Sequence, residues 1–221
     1  MDTPEFVDDA ARDRVTVAGR DAAAYLQSQL AQDVDGMEVG ETRWTLLLEP
    51  NGKVHTLARI TRTDEGAFVL DTDAGFGSPL AMRLERFKIR VEAAIDVEHA
   101  EAAEPASDTE RARVAAGWPR MGAEITTGET IPAATGLVPV AADLRKGCFP
   151  GQELVERMDS RGADAPRTLR IVDVEPGDAP GDPVLDADGG EVGVLTSVAD
   201  GTGLGYVRRG ADVGRPPAHL T

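Results

Sequence analysis

The segment Lys146–Gly162, "KGCFPGQELVERMDSRG", contains the only cysteine of the chain and one of its three lysines. Its glycines permit a tight turn with positive φ, its proline stiffens that turn, and the "QELVERM" that follows is a good helix former. The pattern predicts a turn that places Lys146 and Cys148 just before a helix, whose free amides favour an anion. Glu153 and Arg157 stand four residues apart and support the predicted helix.

Three interpretations of this segment remain open from its residues: a catalytic thiol, a ligand-binding turn and an ordinary turn into a helix. A lone cysteine is more often a small buried apolar residue than a nucleophile, although a helix start can lower the pKa of its thiol. His99, the nearest histidine in sequence, lies in an acidic segment without the signature that a cysteine protease needs. No "GxxxxGK[ST]" occurs, so the glycines do not form a P-loop.

The chain before this segment reads first as a unit of strands and helices. β-favouring runs predict strands at "RVTV", "TRWTLLLEP", "KVHTLARITR", "AFVLDT" and "VEAAIDV". Pro50, Asn51 and Gly52 predict a hairpin turn between the second and third strands. One helix is expected after Asp21 as N-cap, and another in "GSPLAMRLERFKIR" with Ser78 as N-cap. Strand, helix, meander, helix and strand predict an α+β unit with one sheet covered by helices.

The remainder divides into a connecting segment and a small β unit. Residues 98–110 are acidic and alanine-rich and predict a linker or a frayed helix start, after which a helix runs to Gly117. Residues 120–142 are expected to be extended and rich in loops. Short strands with Asp-Gly turns then predict an antiparallel barrel or sandwich, and the final "RPPAHLT" is expected to trail on the surface. The predicted units are an N-terminal α+β lobe (1–97), a connecting segment (98–165) that contains the "KGCFPGQE" motif, and a C-terminal β-barrel (166–221).

The charge of the chain restricts its partners. Acidic residues outnumber basic ones, 39 to 23. The resulting net charge of -16 repels phosphate groups, so it does not favour general binding of nucleic acid or anionic membranes. Twenty arginines against three lysines, with aspartate exceeding glutamate, indicate adaptation to a salt-rich cytoplasm, so we expect a halophilic protein. One cysteine and three scattered histidines predict no metal site. No secretory signal or apolar run of about 18 residues is present, which favours a soluble cytoplasmic protein.

The segment Lys146–Gly162 resembles the signature of the YgfZ-type folate-binding proteins, relatives of the glycine cleavage T-protein (aminomethyltransferase). That signature is Lys-Gly-Cys-aromatic-x-Gly-Gln-Glu with an Arg four residues after the Glu. The matching positions are Lys146, Gly147, Cys148, Phe149, Gly151, Gln152, Glu153 and Arg157. The stretches "VAGRDAAAYLQSQLAQDV", "PNGKV", "RGADAPRTL" and "VGVLTSVADGTGLGYVRRG" extend the resemblance over most of the chain.

The resemblance implies an N-terminal sheet-plus-helix lobe of the T-protein-like type followed by a small C-terminal antiparallel β-barrel. It also implies tetrahydrofolate or a derivative in a central opening, no metal, and iron-sulfur proteins as clients, including enzymes that modify tRNA. The anionic tail of the folate needs cations nearby, and Arg86 is a further candidate. The cofactor-binding residues expected from the resemblance are Lys146, Gly147, Cys148, Gly151, Gln152, Glu153, Arg157, Lys88 and Arg90, with Cys148 as the candidate thiol.

Two departures from the family leave alternatives open. T-proteins carry an Asp-Asp pair after the hairpin glycine, where this chain has His55 and Thr56. That difference favours a non-enzymatic factor over a tetrahydrofolate-dependent aminomethyltransferase. The chain is also short for the family, which leaves room for an assembly module that has lost its folate pocket, or for a homodimer that completes the site.

Overall fold

Two antiparallel sheets organise the chain in a computed structural model that describes residues 7, 10–101, 106–160, 165–217 and 219. The strands of the described ranges are β1 (Arg12–Ala18), β2 (Thr42–Leu48), β3 (Val54–Asp64), β4 (Ala67–Asp73), β5 (Ala94–Glu98), β6 (Arg167–Asp173), β7 (Pro183–Leu185), β8 (Glu191–Ala199) and β9 (Thr202–Arg208). The helices are α1 (Ala22–Gln29), α2 (Gly77–Phe87), α3 (Ser107–Ala116), α4 (Pro132–Thr135), α5 (Val138–Ala141) and α6 (Gln152–Ser160).

The first sheet has the strand order β2-β3-β4-β1-β5, and each neighbouring pair is antiparallel. The predicted hairpin and meander form its first three strands. In the register of the central strands, Val15 lies opposite Leu70 on one side and Val97 on the other. The α+β class predicted for this part of the chain is confirmed.

Alternation along the strands gives this sheet two buried faces. Val15 and Val17 of β1 pack with Leu26 of α1 and Leu84 of α2 on one face. The opposite face presents apolar side chains of β2 to the segment that leads into the signature turn. The side chains buried there include Trp44, Leu46, Leu48, Trp118, Leu137 and Phe149. The segment that leads into the signature turn, with Phe149 of the turn itself, therefore forms a layer of the core, and burying each such side chain contributes about 1.5–3 kcal/mol.

The second sheet has the order β6-β9-β8-β7, again fully antiparallel. Val172, Val184, Val192, Leu195 and Val207 fill its interior. After β9 the chain returns to β6, where Arg215 bridges Ile171 through two backbone hydrogen bonds of 2.9 Å. This return covers the outer edge of β6 and folds the sheet over its core.

The predicted N-cap residue of α1 is confirmed in position, whereas the predicted N-cap of α2 is wrong. Asp21 occupies the N-cap position of α1 but makes no side-chain cap bond; its carboxylate accepts the Glu92 N–H instead, at 2.8 Å. Helix α2 begins at Gly77, so Ser78 lies inside its first turn. The capping group is the Asp13 carboxylate of β1, which accepts the Gly77 N–H at 2.9 Å. A cap supplied by a distant strand leaves no local sequence signal.

The connecting segment and the tail also depart from expectation. The single-turn helices α4 and α5 interrupt the predicted loop at 120–142, whereas α3 ends at left-handed Gly117 as predicted. The described part of the tail does not trail on the surface: His219 is 8% exposed and meets the Trp118 ring edge-on at 5.2 Å. Parts of the acidic linker (102–105) and of "RGADAPRTL" (161–164) lie outside the described residues.

Candidate functional site

The signature turn packs directly on the β2–β3 hairpin turn through two glycines. Gly151 has φ +80°, and a Cβ atom there would lie 2.6 Å from the Glu49 carbonyl oxygen and 2.8 Å from Gly52 Cα. Gly52 has φ +83°, and a Cβ atom on it would collide with the Leu154 side chain. The two backbones approach this closely because neither turn carries a side chain at the contact. The two stretches that resemble the family therefore form one structural unit.

Lys146 lies at the carboxyl end of α1. Its ammonium donates to the Gln27 carbonyl and, at 2.7 Å, to the Leu30 carbonyl. A cation is favourable there because the helix dipole is negative at that end. Burial lowers the pKa of Lys146 to about 8, against the opposing effect of Asp33 and other carboxylates. Two of its three donors are thus used within the protein.

The other signature side chains line an open groove on the outer side of the turn. Cys148 is an exposed free thiol, which sets aside the interpretation of a buried packing residue. Gln152 accepts the Phe149 N–H at 3.2 Å, so this amide stabilises the turn. Glu153 and Arg157 also line the groove, beside the hairpin turn. The structure therefore brings together Cys148, Gly151, Gln152, Glu153 and Arg157.

Lys88 and Arg90 lie elsewhere, at the junction between α2 and β5. The Lys88 ammonium donates to the Glu85 carboxylate at 2.7 Å and to the Ala93 carbonyl at 2.9 Å. Arg90 is exposed and has φ +57°. Among the described contacts of these two residues, none reaches the signature turn.

A buried arginine near the hairpin escaped the sequence reasoning. Arg83 of α2 is 5% exposed, and its Nη2 donates to the Leu48 carbonyl at 3.2 Å. Its guanidinium carbon lies 3.8 Å from the centre of the Phe87 ring, and its Nε lies 3.8 Å from Glu49 Oε2, beyond hydrogen-bonding distance. Within the described residues, Nε and Nη1 of Arg83 have no hydrogen-bond partner. A buried donor left unpaired costs about 1–3 kcal/mol, so both favour an acceptor from outside the chain.

His55 completes this arrangement, which we call the Arg83 cluster: Glu49, His55, Arg83 and Phe87. The register of β2 on β3 shifts beside His55, and such a bulge redirects a side chain. His55 Nδ1 lies 2.7 Å from Thr56 Oγ1, and its Nε2 lies 4.0 Å from Glu49 Oε1. Burial lowers the pKa of His55, Glu49 opposes this effect and Arg83 adds to it. A carboxylate, an imidazole and a guanidinium therefore meet beside the hairpin turn.

The sequence did contain a signal for Arg83. It stands between Leu80 and Phe87 at helical spacing, on the side of α2 that otherwise carries Leu84. A charge on the apolar side of a short helix requires a partner or a ligand. Glu49 gave no comparable signal, because a glutamate before a hairpin turn is ordinary.

The Thr-Ser pair of the barrel stretch has a structural role. Thr196 and Ser197 donate to the Glu124 carboxylate at 2.8 and 2.6 Å. Arg113 of α3 donates to the same carboxylate at 2.8 Å and to the Ser197 hydroxyl at 2.6 Å. These bonds satisfy a buried ion pair that ties the connecting segment to the barrel.

The described ranges also lack two features. No helix there is both long and apolar enough to cross a bilayer. Nor do three or more metal-ligating side chains come together in that part of the chain.

Comparisons with known proteins agree with this geometry. Residues 136–218 match the family model "CAF17, C-terminal beta-barrel domain". The chain is similar in structure to the glycine cleavage system aminomethyltransferase T from Bartonella henselae, with a TM-score of 0.76 and 17% sequence identity. The match covers 92% of this chain and 80% of that chain. A search of curated protein sequences gave no match.

These similarities confirm the predicted resemblance and the predicted order of an α+β lobe followed by an antiparallel barrel. The chain therefore has the fold of the glycine cleavage T-protein, and its residues 136–218 are similar to the C-terminal β-barrel domain of the CAF17 family model.

Proposed function

We propose that this protein is a tetrahydrofolate-binding factor of the T-protein-like type and that the Arg83 cluster holds the pterin. The observation that carries the proposal is the buried Arg83 guanidinium, of which two nitrogen donors have no hydrogen-bond partner among the described residues. A reduced pterin offers a carbonyl oxygen to such donors, and its amino group and ring N–H suit the Glu49 carboxylate. Phe87 is 37% exposed and offers an aromatic surface for a flat ligand.

Calorimetric titration with tetrahydrofolate in molar KCl tests the proposal. We expect binding by the wild type and binding at least about tenfold weaker in Glu49→Gln, because a charged acceptor is lost. Glu38→Gln is the matched control, since Glu38 is an exposed carboxylate on the same lobe, and it should bind like the wild type. Absence of binding by folded wild-type protein would overturn the proposal and leave an assembly module without a folate pocket.

Aminomethyl transfer to tetrahydrofolate is a second candidate, and Glu49 is the observation that favours it. Its carboxylate lies 4.0 Å from His55, so the hairpin holds a carboxylate even though the Asp pair is replaced. Purified protein, tetrahydrofolate and an aminomethyl donor would then yield methylenetetrahydrofolate, and Glu49→Gln would abolish the product. A folate-binding wild type that forms no product would establish the non-enzymatic factor.

We further propose iron-sulfur proteins as clients, including tRNA-modifying enzymes, with the cytoplasm as the compartment. The exposed Cys148 thiol in the signature groove supports a direct contact with such clients. In cells that lack this protein, Cys148→Ala should restore less iron-sulfur enzyme activity than the wild type at equal abundance and melting temperature. Equal restoration would reject a role for the thiol.

Sedimentation with and without tetrahydrofolate tests whether a homodimer forms the site.

A further inference from the structure

A second cluster of reactive side chains lies at the start of α2 and shares no residue with the Arg83 cluster. Ser78 Oγ lies 3.2 Å from His99 Nε2, and His99 Nδ1 lies 3.3 Å from Asp13 Oδ2. Hydroxyl, imidazole and carboxylate therefore stand in the order that activates a serine nucleophile, with each imidazole nitrogen facing the appropriate partner. Such hydrogen bonds are often longer in proteins without substrate than in the reacting complex.

The carboxylate of this cluster is fixed and ionised. Asp13 is 1% exposed and accepts the backbone N–H groups of Gly75, Gly77 and Ala100 at 2.9–3.0 Å. Burial alone would raise the pKa of Asp13, but these amides and the imidazole together hold it below its ordinary value. A fixed carboxylate beside Nδ1 keeps the proton on that nitrogen, which leaves Nε2 to accept the Ser78 proton.

The nucleophile also has a donor for a developing negative charge. Ser78 is exposed in the first turn of α2, where backbone N–H groups have no acceptor within the helix. The Gly77 N–H is taken by Asp13, and Pro79 has none. No acceptor for the Ser78 N–H is found among the described residues. An amide on the nucleophile itself is a known way to bind a tetrahedral oxyanion.

We propose that Ser78 and His99 form a second site, positioned by Asp13, that hydrolyses carboxylic esters. The Ser78 oxygen bonds to the ester carbonyl carbon while its proton passes to His99 Nε2. That proton then leaves with the alcohol as the ester C–O bond breaks. Water attacks the resulting acyl-serine and gives one proton to His99, which passes it to the Ser78 oxygen as the acyl–serine bond breaks and the carboxylic acid leaves.

Labelling with a fluorescent alkyl fluorophosphonate tests the nucleophile. We expect a single adduct on Ser78, located by peptide mass mapping, that is lost in Ser78→Ala. Labelling should be at least about 100-fold slower in His99→Gln, because the general base is removed. Ser107→Ala, which removes an exposed serine at the start of α3, should label like the wild type. Absence of an adduct on folded wild-type protein, or equal rates in His99→Gln, would overturn the proposal.

Discussion

Lys146 shows how a signature residue can serve the fold and titrate in an unusual range. Its pKa of about 8 lies below the ordinary value of 10.5 because the ammonium is buried against α1. The folded protein therefore releases this proton at lower pH than the unfolded chain does, so the Lys146 contribution to stability rises between about pH 8 and pH 10.5.

We predict that the wild type gains stability relative to Lys146→Met as the pH rises through this window. Partial exposure reduces the effect to about 1–2 kcal/mol, from about 1.4 kcal/mol for each unit of pKa. Urea unfolding of both proteins at pH 7.5, 9 and 10 measures it. Tyr25, whose pKa burial raises to about 12, is present in both proteins and cancels in the comparison. A difference in unfolding free energy that stays constant with pH would contradict the prediction.

At the scale of elements, the decisive contact joins the hairpin turn to the signature turn. We predict that Gly151→Ala lowers the free energy of unfolding by about 1–3 kcal/mol more than Gly189→Ala does, because a Cβ atom overpacks this contact. Gly189 is the matched control: its φ of +79° equals that of Gly151 within a degree, and nothing lies within 4 Å of a Cβ atom there. Chemical denaturation gives both values, and equal losses would show that only the backbone strain matters.

The elements that follow from local pattern could be predicted, and those that depend on distant partners could not. The hairpin, the meander and the end of α3 at Gly117 each have a local cause in alternation or turn chemistry. The cap of α2 comes from Asp13, and the burial of His219 depends on Trp118. The site divides in the same way: the signature turn was visible as a motif, whereas Arg83 meets Glu49 only after folding.

At the scale of the whole molecule, the net charge of -16 opposes folding by self-repulsion. The Debye length falls from about 10 Å at 0.1 M salt to about 3 Å at 1 M, so we predict that the melting temperature rises by about 5 °C or more over that range of KCl. Buried pairs such as Arg113 with Glu124 are shielded from salt and should not reduce the gain. Differential scanning calorimetry measures it, and an unchanged melting temperature would refute salt adaptation.

The contact between Trp44 and Trp118 makes the protein its own optical probe. These are the two tryptophans of the chain, and their ring centres lie 4.7 Å apart where β2 meets the segment after α3. Intrinsic fluorescence therefore reports on one junction, with His219 beside it as a quencher when protonated. If the fluorescence emission changes before the far-ultraviolet circular dichroism during unfolding, the segment after α3 separates from the first sheet while both sheets persist.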